Sequence, residues 1–343
     1  MAMADRVVQA AVGPDGRIAY AKNRELTTDL WLLDDGDDRR LTSEGVAAMR
    51  YGRTDARWID WSPDGDRVAF ATADGELATV DTDTGIVDVL TDLTGGIDGL
   101  AWGDPGIAVV TDEFSRASLA VVSPDGDRIE AVADDESLYA DPHWQGGAVV
   151  AARSKHADLF DYEAAIVRVP PDGEATELFA EPGVRAACPR PRPGDDEAVA
   201  FVHDGSGYDA VYGVAGGDDA NAPTPLYGVP ETEVAAPEWN DAGDQLAVTA
   251  TRDGRTGVHA VVVDGALENA GPGLDADPDD DATVLAAGDA IHGTPRWDDD
   301  RVLSVREAPA EPPAVVDAAS RARLTPSTTA GLATRLPEPE AFT

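Results

Sequence analysis

A short phrase recurs seven times along this chain, and it leaves few folds open. Its clearest copy is Ile59-Asp60-Trp61-Ser62-Pro63-Asp64-Gly65-Asp66-Arg67-Val68-Ala69-Phe70: an aromatic residue, a polar turn carrying Asp-Gly, then a short apolar run. Weaker copies begin near Val12, Leu100, Pro142, Pro189, Pro237 and Pro295. Trp61, Trp102 and Trp144 stand 41 and 42 residues apart, and insertions stretch the interval from Trp239 to Trp297 to 58. A period of about 40–45 residues built only from short strands is the mark of a β-propeller. No apolar period of 3.6 residues is sustained anywhere.

Each unit reads as four strands. In the second these are 57–61, 67–72, 76–81 and 86–90, separated by Asp64-Gly65, Asp74-Gly75 and Thr84-Gly85, where tight hairpins need positive φ. The expected fold is therefore all-β, a seven-bladed β-propeller of four-stranded antiparallel blades. The blades fall near 6–43, 55–92, 97–134, 140–181, 184–228, 234–288 and 292–325, the fifth lacking its aromatic. They form one domain over 1–325, followed by a linker over 326–343. Blades one and seven each own four strands, since Arg321-Ala322-Arg323-Leu324-Thr325 echoes the Arg39-Arg40-Leu41-Thr42 ending of the first. The expectation is a ring with no strand latch between the termini, closed by packing alone. Trp61, Trp102, Trp144, Trp239 and Trp297 hold one place in each unit and should pack blade on blade.

Net charge is −40, from 66 acidic and 26 basic residues, and only Lys22 and Lys155 among the latter are lysines. Surface scaling gives about one acidic group per 200 Å², hence spacings of ~14 Å, against a Debye length of ~8 Å at 0.15 M salt and ~3 Å at 1 M. The charge runs along the whole chain instead of gathering in a tail. It reads as adaptation to a salt-rich cytoplasm, and it disfavours nucleic acid as a partner. One cysteine, Cys188, excludes an internal disulfide and reads as a small residue at a strand edge. No apolar run of signal-peptide or membrane-spanning length occurs, so a cytoplasmic protein with no membrane contact is expected.

Catalytic motifs are missing. G-x-S-x-G is absent. His203-Asp204-Gly205-Ser206 holds the triad residue types, but neighbours in one tight turn cannot face each other as a triad must. It reads as the hairpin between strands two and three of blade five, with His156 and Asp158 in the equivalent loop of blade four. Asp275, Asp277 and Asp279 match positions 1, 3 and 5 of a calcium loop, yet Pro278, Asp280 and Ala286 occupy positions 4, 6 and 12 against the pattern. They read as an acidic insertion in blade six. No catalytic, cofactor-binding or metal-binding residue is assigned.

The phrase Trp-Ser-Pro-Asp-Gly-x-x-Val-Ala-Phe, with Asp29-Leu30-Trp31-Leu32 and Arg39-Arg40-Leu41-Thr42, resembles two groups over residues 6–325. One is the TolB-like propellers. The other is the N-terminal propeller of the prolyl oligopeptidase and acylaminoacyl-peptidase family. The repeats do not choose between them. The tail from Leu332 to Thr343, with Pro337-Glu338, is similar to the connector leading into the hydrolase domain of those peptidases. That resemblance implies a non-catalytic propeller that gates peptide access, with an α/β-hydrolase domain or subunit as partner and short peptides as ligands. The family's catalytic residues would lie outside this chain, and no cofactor is implied. The alternative is a free-standing propeller that binds a protein or peptide. A third reading, a propeller enzyme such as a calcium-dependent lactonase, would need side chains converging on the axis, with Glu238 and Asn240, or Asp60 and Asp141, as positions for them.

Overall fold

Turn pairs cut the chain into strands of three to ten residues, and each pairs antiparallel with its sequence neighbour. A computed structural model of the chain describes residues 5–24, 27–43, 45–46, 57–92, 96–113, 116–133, 137–154, 163–171, 174–215, 222–267, 271–309 and 311–326. Among these residues, five sheets of four strands cover 6–40, 59–92, 97–133, 138–179 and 186–227. A sixth sheet of seven strands joins two further blades. Its strand Thr283–His292 pairs with Arg255–Val262 of the sixth blade, then at Ile291 and His292 with Arg301–Ala308 of the seventh. Seven antiparallel groups thus follow one another. The one helix among the described residues is a single turn, Pro278–Asp281.

The first strand of each blade touches the first strand of the next, and that of the seventh, Arg296–Asp298, touches Arg6–Val12. This cycle makes the molecule a β-propeller with its first strands around the axis. There is no shared central core. Each of seven apolar clusters straddles one seam between consecutive blades, from Leu30 and Leu32 against Val68 and Phe70 at the first to Val7 and Ile18 against Leu303 and Val315 at the last.

The repeat residues stitch those seams. The indole Nε1 of Trp61 donates to the Ala11 carbonyl of the preceding blade, Trp144 to Ala101, Trp239 to Arg190 and Trp297 to Glu238, at 2.9–3.2 Å. An arginine from the preceding blade covers three of the repeat tryptophans: Arg17 over Trp61, Arg67 over Trp102 and Arg192 over Trp239. Val12 stands in the tryptophan's place in blade one. There the seam with blade seven holds a cavity of about 40 Å³ lined by Gln9, Val12, Arg296, Ser304 and Val315 among others.

Closure follows the expected unlatched form. All four strands of the first blade lie within 6–40, and the seventh completes itself: Val316 bridges Arg323 and Leu324 N donates to Val315 O. Among the described residues no strand passes between the ends. Residues 327–343, which hold nearly all of the proposed linker, lie outside those described.

Candidate functional site on the propeller axis

Three consecutive first strands carry the same irregularity. Asp141, Cys188 and Ala236 have φ of 52°, 52° and 51°, left-handed values that cost a non-glycine residue about 1–3 kcal/mol. Each precedes a proline, and the ladder skips there, between Ala140 and His143, Ala187 and Arg190, and Ala235 and Glu238. Proline has no N–H for a ladder and is tolerated at a bulge, and a bulge re-aims the side chains that follow it. The side chains so placed, His143, Arg190 and Glu238, meet one another.

Arg190 is the hub. Its Nη1 donates to Asp141 Oδ2 at 2.7 Å and to the Pro189 carbonyl at 2.8 Å, and lies 2.8 Å from His143 Nε2. Its Nε donates to Glu238 Oε2 at 3.1 Å. Arg296 of the seventh blade also donates to that oxygen, at 3.0 Å. Arg57, just before the first strand of the second blade, reaches across the axis to the sixth, its Nη2 lying 2.7 and 2.9 Å from the two Glu238 oxygens. Gln9 and Asp60 extend the stitching: Gln9 Oε1 accepts from Trp58 and Ile59 N, and Asp60 from Trp61 and Trp102 N.

Burial sets the electrostatics. It pushes the Glu238 carboxyl up, but the three guanidiniums more than offset this and hold it at about 2. Asp141 is likewise burdened by burial and pulled below the usual carboxylate range by Arg190 and His143. Burial, reinforced by Arg190 and Arg57, lowers His143 to about 3, so its ring is neutral. Asp60 is pushed up by burial against the pull of Arg57. Some donors are left over: Arg57 Nε and Arg190 Nη2 are buried with no hydrogen-bond partner.

The residues singled out from sequence divide. Glu238, Asp60 and Asp141 do reach this region, while Asn240 does not: it shapes a turn, accepting from Asp244 and Gln245 N. The carboxylates face arginines, and among the described residues no three His, Cys, Asp or Glu side chains gather as metal ligands. Asp277 caps the short helix by accepting from Asp279 N, and Asp281 accepts from Asp277 N, which occupies the acidic insertion with its own turn. Cys188 lies at a bulge of Ala186–Pro191, the strand at the axial edge of its sheet, and is 7% exposed. His203 stacks on Tyr212 at 3.4 Å between ring centres and accepts from Gly205 N, while Ser206 donates to Tyr208 O within the hairpin. His156 and Asp158 lie outside the described residues. Ser304 Oγ sits 2.8 Å from His292 Nδ1, an unforeseen pair, but both are buried beside a cavity with room for little more than a water.

Sequence reading missed Arg57, Arg190, Arg296 and His143. A signal existed: in Pro142-His143-Trp144, Pro189-Arg190-Pro191, Pro237-Glu238-Trp239 and Pro295-Arg296-Trp297 the middle residue is polar in an otherwise apolar strand.

No protein-family model matches the chain, and no curated protein matches it either. Solved structures do. A Mycobacterium tuberculosis puromycin-hydrolyzing peptidase matches 92% of this chain with a TM-score of 0.73 and 18% identity, over 52% of its own length. Pyrococcus horikoshii acylaminoacyl peptidase matches 98%, with a TM-score of 0.66 and 15% identity, over 55% of its length. Oligogalacturonate lyase from Vibrio parahaemolyticus matches 92%, with a TM-score of 0.63 and 14% identity, over 90% of its length. The chain thus spans about half the length of the peptidases it resembles, in agreement with a propeller domain, and at these identities the likeness speaks for the fold.

Proposed function

We propose that this chain is a non-catalytic propeller module that screens short peptides for a serine-hydrolase unit. The observation that carries this is the superposition of 92% of the chain on half of a puromycin-hydrolyzing peptidase. The axis is in keeping with it: among the described residues its carboxylates are taken up by arginines, and none of its groups is a nucleophile beside a base with room for a substrate. The test is a hydrolysis assay with fluorogenic short-peptide and acylaminoacyl substrates in molar potassium chloride. The purified chain is assayed alone, then with the product of the next downstream gene. Turnover only in the mixture is expected. Turnover by the chain alone would overturn the proposal.

A second reading, a self-sufficient ligand-binding propeller, draws on the lyase match over 90% of that protein's length. Saturable ligand binding with no turnover in either arm would favour it.

A further inference from the structure

Glu238 receives hydrogen bonds from three guanidiniums on three blades, and none of the three is used up by it. A guanidinium carries five N–H donors in a planar fork. Arg57 spends a single nitrogen, Nη2, on both Glu238 oxygens, and Arg296 spends a single nitrogen, Nη1, on Glu238 and the Pro295 carbonyl. Their remaining nitrogens make no hydrogen bond among the described residues, with the buried Asp60 in electrostatic reach of both guanidiniums. The side chains are 15% and 11% exposed, so part of each fork meets solvent. Behind them Arg190, 3% exposed, keeps Nη2 unpartnered. In a chain with a net charge of −40, three arginines meeting two ionised carboxylates run against the composition.

We propose that these axial arginines are a receptor for a ligand carboxylate, met by Arg57 Nη1 and by the Nε–Nη2 edge of Arg296. Two guanidiniums that converge on Glu238 from the blades on either side of blade one are already oriented, so little side-chain ordering remains for a ligand to impose. A planar carboxylate can engage a fork through two parallel bonds, which a spherical chloride cannot, so the site is suited to organic acids in concentrated salt. The carboxylate comes from the C-terminus of a short peptide or from a sugar acid. The inference rests on the axial geometry and needs no hydrolase partner.

Titration calorimetry in molar potassium chloride tests it with three probes: trialanine, trialanine C-terminal amide and glucuronate. Saturable binding of at least one of the two acids is expected, and whichever binds identifies the source. If that acid is trialanine, its amide should bind at least about tenfold more weakly. Arg57→Gln should weaken the acid at least about tenfold, and Arg57→Lys, which restores charge without the fork, should recover only part. Near-UV circular dichroism checks that the variants fold; if Arg57→Gln does not, Arg296→Gln and the wild-type probe comparison decide. Equal binding of trialanine and its amide, no saturable binding of either acid, or full affinity in a folded Arg57→Gln or Arg296→Gln protein would overturn the proposal.

Discussion

A threonine explains why the blade ending reads as it does. Leu30 N donates to Thr42 Oγ1 at 3.1 Å, and Val315 N to Thr325 Oγ1 at 3.2 Å, while the preceding leucines, Leu41 and Leu324, return bonds to the same two residues. Both threonines are buried, so the hydroxyl satisfies a backbone donor that water does not reach. Thr42→Val should therefore cost about 1–3 kcal/mol, and Thr42→Ser much less, in denaturant titrations at constant molar salt. The axial groups predict a pH profile. Glu238 ionises at about 2 in the fold against 4.5 ordinarily, so its contribution is complete above pH 4.5 and is lost as pH falls toward 2. Burial holds His143 neutral down to about 3 from 6.5, so the unfolded chain takes up that proton first and stability declines below pH 6.5. His203, kept neutral to about 4 by burial, adds in the same direction. The midpoint of thermal unfolding should drop in two stretches on acidification, and His143→Gln should reduce the upper one while His203 maintains part of it. A wild-type midpoint unchanged from neutral pH to about 5 would contradict the assignment.

At the scale of the element, the fold was legible and the axis was not. Trp61, Trp144, Trp239 and Trp297 repeat because each seam asks for the same ring and the same indole bond to the blade before, so one physical need is printed several times. The axial groups answer to partners on other blades: Arg57 meets Glu238 from 181 residues away, a distance no local pattern encodes. The bulges at Asp141, Cys188 and Ala236 were hidden as well, since proline before a polar residue reads equally as a turn. The acidic insertion of blade six has a packing role that its composition does not announce. Gly228 N donates to Gly273 O and Gly273 N to Leu226 O, laying the insertion along the outer strand Thr224–Tyr227 of blade five, with Leu267 and Ala276 buried beneath. Covering a strand edge limits pairing between molecules. A methyl group at Gly271 would collide with the Leu226 carbonyl. Gly271→Ala should lift the insertion, cost about 1–3 kcal/mol and open residues 264–282 to protease while the far-UV spectrum stays that of the ring. Unchanged proteolysis would show that the cover is held elsewhere.

The whole molecule exposes 16577 Å² for 66 acidic residues, about 250 Å² each, so carboxylates stand ~16 Å apart on average. This is wider than the scaling law suggests but still within about two Debye lengths at 0.15 M salt, and far beyond one at 1 M. With no strand latch among the described residues to resist it, that repulsion acts on the seams. Dilute buffer should loosen the ring and molar potassium chloride should restore it, and a circular dichroism spectrum identical in both would refute this. Among the described residues the seams are also unequal: those flanking blade seven bury five and six apolar residues, against fifteen between blades five and six. Loosening should therefore begin at blade seven. The first blade pairs within residues 6–40 and the seventh within 291–325, so among the described residues no ladder runs between these two blades. A circular permutant that joins the present ends by a flexible tether and opens the chain between blades two and three would leave every ladder intact. In such a permutant the tether would span the most weakly packed part of the ring, and the same residues would close into a sturdier circle.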